Sequence, residues 1–522
     1  MLKRFIYLFN VTPLTALALP LAILLVLALM AEQSAAQPGD LDASFGSGGK
    51  VTTTFNFGGA RATALQRDGK IVVAGQDDSY NTDPIALARY NADGSLDTSF
   101  GNGGRVTTIV RRYDSAHGIA IQADGRIVVA GEACIYGPIC DFVVVRYAPN
   151  GSLDTSFDGD GIKIIDMGGA YDTANDLAIQ PDGKIVIVGA SGTSYTARNY
   201  AFAVVRLNSD GSFDTSFDGD GKVITSLGSF SDFGAAAVAL QPDGKIIAAG
   251  QSGSGNSASA DFALVRYNSD GSLDASFDGD GKVFTDLGNS YDGAADVAVQ
   301  ADGKIVATGG YNSRLAVVRY NTNGSLDASF DGDGIVTGYG GYCVAIQSNG
   351  KIVVAGGGGG GHGRDFLLER LNPNGSLDTS FGGGIVTTSF DDGSNPSSYG
   401  GANGIAIQPD GKIIAAGFWG EDGEYEFFAI ARYIGDSVPV VQVSGRVTTP
   451  DGRGLRNAAV SITDSLGVRR TTTTSSFGFY TFDEVRSGDT YMIGVNSRLY
   501  RFASRTLVVN DNLTNVDFVG LE

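Results

Sequence analysis

Leu153-Asp154-Thr155-Ser156-Phe157 and, further along, Gln180-Pro181-Asp182-Gly183-Lys184 decide how this chain folds. The first phrase also begins at Leu41, Leu96, Leu273, Leu326 and Leu377, and at Phe213 with Phe in place of Leu. Successive copies lie 55, 57, 60, 60, 53 and 51 residues apart. The second phrase recurs from Gln66, Gln122, Gln241, Gln300, Gln347 and Gln408, with Arg126 replacing Lys in one copy and Asn349 replacing Asp in another. A fixed period of this size is the mark of a repeat architecture.

Each repeat holds four short strand-like runs, in the third at Ile162–Ile165, Asp176–Gln180, Lys184–Val188 and Phe202–Leu207. Ile185-Val186-Ile187-Val188 is apolar on both faces, so its strand must be covered from both sides. Pro181-Asp182-Gly183 supplies the positive φ of a tight hairpin. No helical period of useful length interrupts the pattern. Four strands in each of seven units predict an all-β chain whose main body is a seven-bladed β-propeller of four-stranded blades. A parallel β-helix ranks second, because its coils are shorter. The last unit ends at Arg432-Tyr433 with no Leu-Asp phrase after it, and Leu41 has no Arg-Tyr before it. Joining these ends closes a ring. Beyond Val438-Pro439 the repeat phrases and all lysines cease, and short alternating runs suit a small β-sandwich.

The repeated phrases resemble the bacterial delta-60 repeat family over about four hundred residues. That resemblance implies an extracellular propeller of unassigned function. Ser444-Gly445-Arg446-Val447, Asn457-Ala458-Ala459-Val460 and Gly478-Phe479-Tyr480 are similar to carboxypeptidase regulatory-like domains, which implies a transthyretin-like accessory module without catalysis. The expected organisation is a signal peptide at 1–36, a propeller at 37–436, a linker at 437–443 and a sandwich at 444–522. Lys3 and Arg4, the apolar run Leu14–Met30 and the small residues Ser34 and Ala36 lay out a secretory leader cleaved after Ala36. The rival is an uncleaved anchor. With cleavage, no membrane span is left and the protein is secreted, periplasmic or held at the cell surface. Cys134 and Cys140 flank Ile-Tyr-Gly-Pro-Ile, and a local disulfide fits an oxidising compartment. Cys343 sits in an apolar stretch and reads as a buried thiol.

The net charge of −20 falls on the ring, which carries about −22. That argues against nucleic acid as a partner, since phosphates require cationic neutralisation, and none is expected. The Gln-x-Asp-Gly-Lys turns and the Leu-Asp-x-Ser-Phe segments are expected on one face, uniform from blade to blade. Each of Arg89, Arg146, Arg206, Arg266, Arg319, Arg370 and Arg432 is expected to pair with the Asp of the Leu-Asp phrase that follows it, Arg432 with Asp42 across the closure. The opposite face carries connections that differ between blades, the usual setting for recognition. Eight or nine residues before each repeat Gln stand Phe57, Tyr113, Tyr171, Phe233, Tyr291, Tyr339 and Tyr399, with Asp114, Asp172 and Asp292 following directly in three blades. Together with the single tryptophan, Trp419, these are the expected ligand-binding residues, an aromatic and carboxylate ring at the channel mouth suited to a sugar. Otherwise each aromatic wedges between neighbouring blades.

Asp-Gly-Asp-Gly at Asp158, Asp218, Asp278 and Asp331 has a calcium-like flavour. The EF-hand Glu is missing, and three blades build the same segment without these acids, so no metal or cofactor is assigned. Six glycines before His362 lead into no helix and make no phosphate loop. No catalytic residues are assigned. The chain reads as an exported, non-enzymatic binding or scaffold protein for a polysaccharide or extracellular protein. The alternatives are a carbohydrate-active hydrolase or lyase using channel carboxylates and a structural spacer of the cell envelope.

Overall fold

The computed structural model describes residues 36–55, 58–78, 82–136, 139–193, 200–228, 233–253, 260–288, 292–311, 314–338, 341–357, 365–391, 398–421, 425–436, 440–464, 469–487, 489–509 and 511–521. The expected leader, and with it the cleavage question, lies outside them.

Among the described residues, the strands from Lys50 to Tyr433 form seven four-stranded antiparallel meanders, arranged as propeller blades. We number them as units one to seven by their first strands: Ala60–Leu65, Tyr113–Ile121, Tyr171–Ile179, Ala235–Leu240, Asp292–Val299, Cys343–Ile346 and Ser398–Ile407. First strands line the axis, and each unit packs on the next. Unit seven packs on unit one, so the ring is closed. The N-terminal strand Lys50–Thr54 closes it as the fourth strand of unit seven, pairing with Tyr425–Tyr433.

Burial on both faces explains the apolar second strands. Ile185 and Ile187 pack against Val128 and Val144 of unit two, while Val186 and Val188 pack against Ile246 and Ala248 of unit four. The hairpin after the first strand closes as the sequence dictates. The Gly183 N–H donates to the Gln180 carbonyl at 2.9 Å, and Gly183 takes φ +87°.

The phase of the repeat differs from the expectation by one strand. Ile162–Ile165 is the fourth strand of unit two, paired with Ile139–Tyr147, and does not open unit three. Leu153–Phe157 therefore belongs to the hairpin between third and fourth strands of one blade. The connection between blades is the stretch from Asp166 to Ala170. The division into two faces survives this shift, because the first and third hairpins of a meander lie on the same side.

That side is held by one device used seven times. Arg206 donates from Nε to Asp214 at 2.6 Å, Lys184 adds a second cation at 3.0 Å, and the guanidinium lies 4.6 Å over the Phe217 ring. Equivalent pairs are Arg89–Asp97, Arg146–Asp154, Arg266–Asp274, Arg319–Asp327, Arg370–Asp378 and Arg432–Asp42, the last across the closure as expected. Each pair lies inside one blade. The stitch to the next blade comes from the other end of the guanidinium: Arg206 Nη1 donates to the Ser269 carbonyl, and Arg432 Nη1 to that of Ala92. Asp158, Asp218, Asp278 and Asp331 occupy a left-handed turn position, with φ near +50°, whose N–H bonds a carbonyl of the following blade. Gly46, Gly101 and Gly382 do the same in the remaining blades.

After the ring, Val440–Thr448, Phe479–Arg486 and Phe518–Val519 make a three-stranded sheet. Ala459–Thr463, Arg469–Thr473, Asp489–Asn496 and Arg505–Val509 make a four-stranded one. Val443, Val447, Val460, Ile462, Tyr480, Phe482 and Ile493 fill the core between them.

Candidate functional site

The first strand of a blade is crowded against its counterparts around the axis, and most of these strands relieve the crowding with a bulge. The register shifts between Ala60 and Ala62, Ala116 and Gly118, Ala174 and Asp176, Ala235 and Ala237, Ala294 and Asp296, and Ala402 and Gly404. A bulge leaves one residue unpaired and re-aims its side chain. The unpaired residues are Arg61, His117, Asn175, Ala236, Ala295 and Asn403. All six line one axial cavity of about 230 Å³, together with Tyr342 of unit six, Asp176, Asp296 and Cys343. All seven units contribute to this cavity.

The polar groups in it are held from the adjacent blade. His117 Nδ1–H donates to the Ala174 carbonyl at 3.0 Å. Burial lowers the imidazole pKa, so it is neutral. Asn175 donates to the Ala235 carbonyl at 2.7 Å and Asn403 to that of Ala60 at 2.9 Å. Asp176 accepts the N–H of Leu177 at 2.8 Å and of Val238 at 2.9 Å. Asp296 accepts those of Val297 and Val344, both at 2.7 Å. Burial pushes Asp176 up to about 6. Burial, with the charge of Asp176 adding to it, pushes Asp296 up to about 7. Tyr342 is 55 % exposed and Arg61 is exposed as well, giving the cavity an aromatic and a cationic lip. Among the described residues, no three carboxylate, imidazole or thiol groups on the axis converge closely enough to hold a metal ion. The uniform face of the ring opens on a second cavity, of about 470 Å³, with Leu65, Ile121, Ile179 and Ile407 at its wall.

The expected ligand residues sit elsewhere. Tyr113, Tyr171 and Phe233 lie where the first strand of one unit runs beside the third strand of the unit before, bridged to Asp83, Cys140 and Tyr200. The Tyr171 hydroxyl donates to Glu132 of unit two at 3.2 Å, and its ring packs on Tyr200 at 5.7 Å. Tyr113 stacks with the Arg112 guanidinium at 5.2 Å, and Tyr399 packs on Phe418 at 6.0 Å. All four are half-buried, the first three at blade seams, and none lines the axial cavity. Phe57, Tyr291 and Tyr339 lie outside the described residues.

Asp114, Asp172 and Asp292 do not face the mouth either. They are buried and accept backbone N–H groups of the preceding connection: Val110 and Arg111 for Asp114, Met167 for Asp172, Leu287 for Asp292. They brace the loops between blades. Trp419 lies half-buried on a second strand, its ring 5.3 Å from that of Phe427, and takes no part in the axial cavity. Cys134 and Cys140 form the expected disulfide, and Cys343 is a buried free thiol. A sequence signal for the axial set did exist. Counting back five residues from each repeat Gln gives Arg61, His117, Asn175, Ala236, Ala295, Tyr342 and Asn403.

Comparison with known proteins places this architecture. Residues 66–100, 122–157, 180–217, 241–277, 300–330 and 347–381 match the domain of unknown function DUF5122, described as a β-propeller. Residues 442–519 match the carboxypeptidase regulatory-like domain. The chain matches no curated protein. Similar solved structures include a protein of unknown function from Dyadobacter fermentans, at 10 % identity and TM-score 0.37, covering 74 % of this chain and 98 % of that one. A streptogramin B lyase is similar at 11 % identity and TM-score 0.43, over 73 % and 98 % of the two chains. The polysaccharide lyase Uly1 is similar at 11 % identity and TM-score 0.42, over 72 % and 89 %. The chain thus has a β-propeller fold that matches the DUF5122 model in six of its repeats, followed by a segment that matches a carboxypeptidase regulatory-like domain.

Proposed function

We propose that this is an exported, non-catalytic binding protein that recognises the end of a polysaccharide chain at the axial cavity on its variable face. The observation that carries this reading is the convergence of Arg61, His117, Asn175, Asp176, Asp296, Tyr342 and Asn403 on one cavity. Cationic, amide and carboxylate groups hydrogen-bond sugar hydroxyls, and an exposed tyrosine face stacks on a sugar ring. A volume of about 230 Å³ falls below the ~300–1,000 Å³ of common ligand pockets and suits one sugar residue. Export is supported by Lys3, Arg4 and the apolar run that follows. The test is binding of the full chain to a polysaccharide panel, by calorimetry. Retention of one glycan class, weakened at least tenfold by Tyr342→Ala and by Arg61→Ala, is the expected result. Uniform lack of binding would leave a spacer role or a protein partner.

A carbohydrate-active enzyme is the second reading. It is favoured by the raised pKa values of Asp176 and Asp296, which put a proton on a channel carboxyl near neutral pH. Against it, both oxygens of each carboxylate are held by backbone N–H groups. Release of new reducing or unsaturated ends from any polysaccharide, abolished in Asp296→Asn, would establish the enzyme.

A further inference from the structure

The axial cavity has a neighbour. A second cavity, of about 220 Å³, lies at the seam of units seven and one and shares two walls with the first, Arg61 and Asn403. Its other walls are Gly59, Ala60, Gln76 and Phe418.

This space is built from two positions of the repeat, contributed by two adjacent blades. Arg61 and Asn403 are the unpaired bulge residues of units one and seven. Gln76 and Phe418 each stand six residues after the repeat lysine, Lys70 or Lys412. The same position holds Glu132, Ala190, Gln251, Gly310 and Gly357 in the other blades. An aromatic ring stands there in unit seven alone, so the blade itself does not require one.

The groups around this space have bonding capacity to offer. Gln76 Oε1 accepts from Arg61 Nη2 at 3.2 Å and from the Ser115 hydroxyl at 3.0 Å. These bonds occupy its carbonyl oxygen, while its amide nitrogen meets no acceptor among the described residues. Arg61 is exposed, and a guanidinium carries five N–H donors, of which the bond to Gln76 uses one. Phe418 is half-buried. Tyr399 backs its ring at 6.0 Å, and Gly401, its partner across the strands, places no side chain over it.

We propose that this space is a second sugar subsite: the ligand is an uncharged oligosaccharide whose terminal unit fills the axial cavity and whose next unit lies against Phe418. The inference rests on the sugar-binding reading of the axial cavity. Phe418 offers an apolar surface to the C–H face of a pyranose, and Gln76 and Arg61 offer donors to its hydroxyls. Two spaces of about 230 and 220 Å³ suit one unit each, with Arg61 and Asn403 beside the linkage. The ring's charge of about −22 repels a polyanionic chain and so favours an uncharged one.

The test is calorimetric titration of the full chain with oligosaccharides of one to four units derived from cellulose, mannan, xylan and chitin, with oligogalacturonate as the charged control. One uncharged series should bind, at least tenfold tighter as the disaccharide than as the monosaccharide, with little added by a third or fourth unit. Phe418→Leu keeps a large apolar side chain against Tyr399 and should hold the urea midpoint. It should cut the gain from the second unit to threefold or less, and Gln76→Ala, which keeps the ring, should reduce it as well. Equal affinity for monosaccharide and disaccharide, a gain that survives in both folded variants, or preference for oligogalacturonate overturns the subsite and leaves the axial reading standing. Failure of every series to bind overturns both.

Discussion

Asp214→Asn probes the device on which the ring depends. Asp214 accepts the Ser216 N–H and hydroxyl on Oδ1, at 3.1 and 2.7 Å, while Oδ2 takes Arg206 Nε at 2.6 Å and Lys184 at 3.0 Å. Its side chain is 8 % exposed and that of Arg206 is 4 % exposed. The amide keeps the Ser216 bonds but leaves Arg206 buried without its counter-ion. Removing one partner of a buried pair costs ~3–5 kcal/mol. Arg206 retains the Ser269 carbonyl and the Ser216 hydroxyl, so we expect the lower end, about 3 kcal/mol. The assay is urea unfolding followed by Trp419 emission, because the only tryptophan sits in unit seven and reports the ring alone. A pH series gives an independent check. For Asp214, burial works to raise the pKa, but the bonds from Ser216, Lys184 and Arg206 outweigh it and hold the carboxyl well below its ordinary value. A depressed folded pKa means stability that is present above the unfolded value of ~3.9 and is lost as pH falls toward the folded one. The variant should therefore lose less than wild type between pH 4 and 2. A cost below ~1 kcal/mol, the range of surface pairs, with an unchanged acid limb, would refute the reasoning.

Other outcomes follow from the same structure. Asp176 and Asp296 have the opposite sign: their folded pKa values of about 6 and about 7 exceed the unfolded value. Ring stability should fall as pH rises from 4 through 7 and so peak near pH 4–5, measured by the Trp419 midpoint. Phe217→Ala should cost ~3–5 kcal/mol in the same assay, since Phe217 is fully buried beneath Arg206. Replacing Cys134 and Cys140 together with Ser should cost up to ~2 kcal/mol, because the loop they close is short, and should leave glycan binding unchanged. N-terminal sequencing of exported protein should begin at Gln37, and a start at Met1 in a membrane fraction would favour the anchor.

The ring was legible because repetition marks architecture directly: one period, four apolar runs and the Arg–Asp phrases specify blades and their closure. The strand phase was not. Ile162–Ile165 looks the same whether it ends one blade or opens the next, and only its pairing with Ile139–Tyr147 decides. The recurrence of Tyr113, Tyr171 and Tyr399 suggested a site, but recurrence follows packing: Tyr113 and Tyr171 sit at seams, and Tyr399 packs on Phe418 of its own blade. Asp172 looked like a ligand group because its N–H donor, Met167, is brought to it only by the folded connection. The axial residues were hidden by their variety. Arg61, His117, Asn175, Tyr342 and Asn403 share a place in the period but no chemistry, so a search for repeated residue types passes over them. The bulge that leaves one residue unpaired in six of the first strands is visible only in the register.

The most direct test of the central claim compares the two faces in one binding experiment. The full chain, Arg61→Ala with Tyr342→Ala, and Lys245→Ala with Lys304→Ala are applied to a glycan array at equal concentration. The account predicts one glycan class bound by wild type and by the lysine variant, and lost in the axial variant. Binding that survives the axial variant, or that disappears only with the lysines of the uniform face, would contradict it.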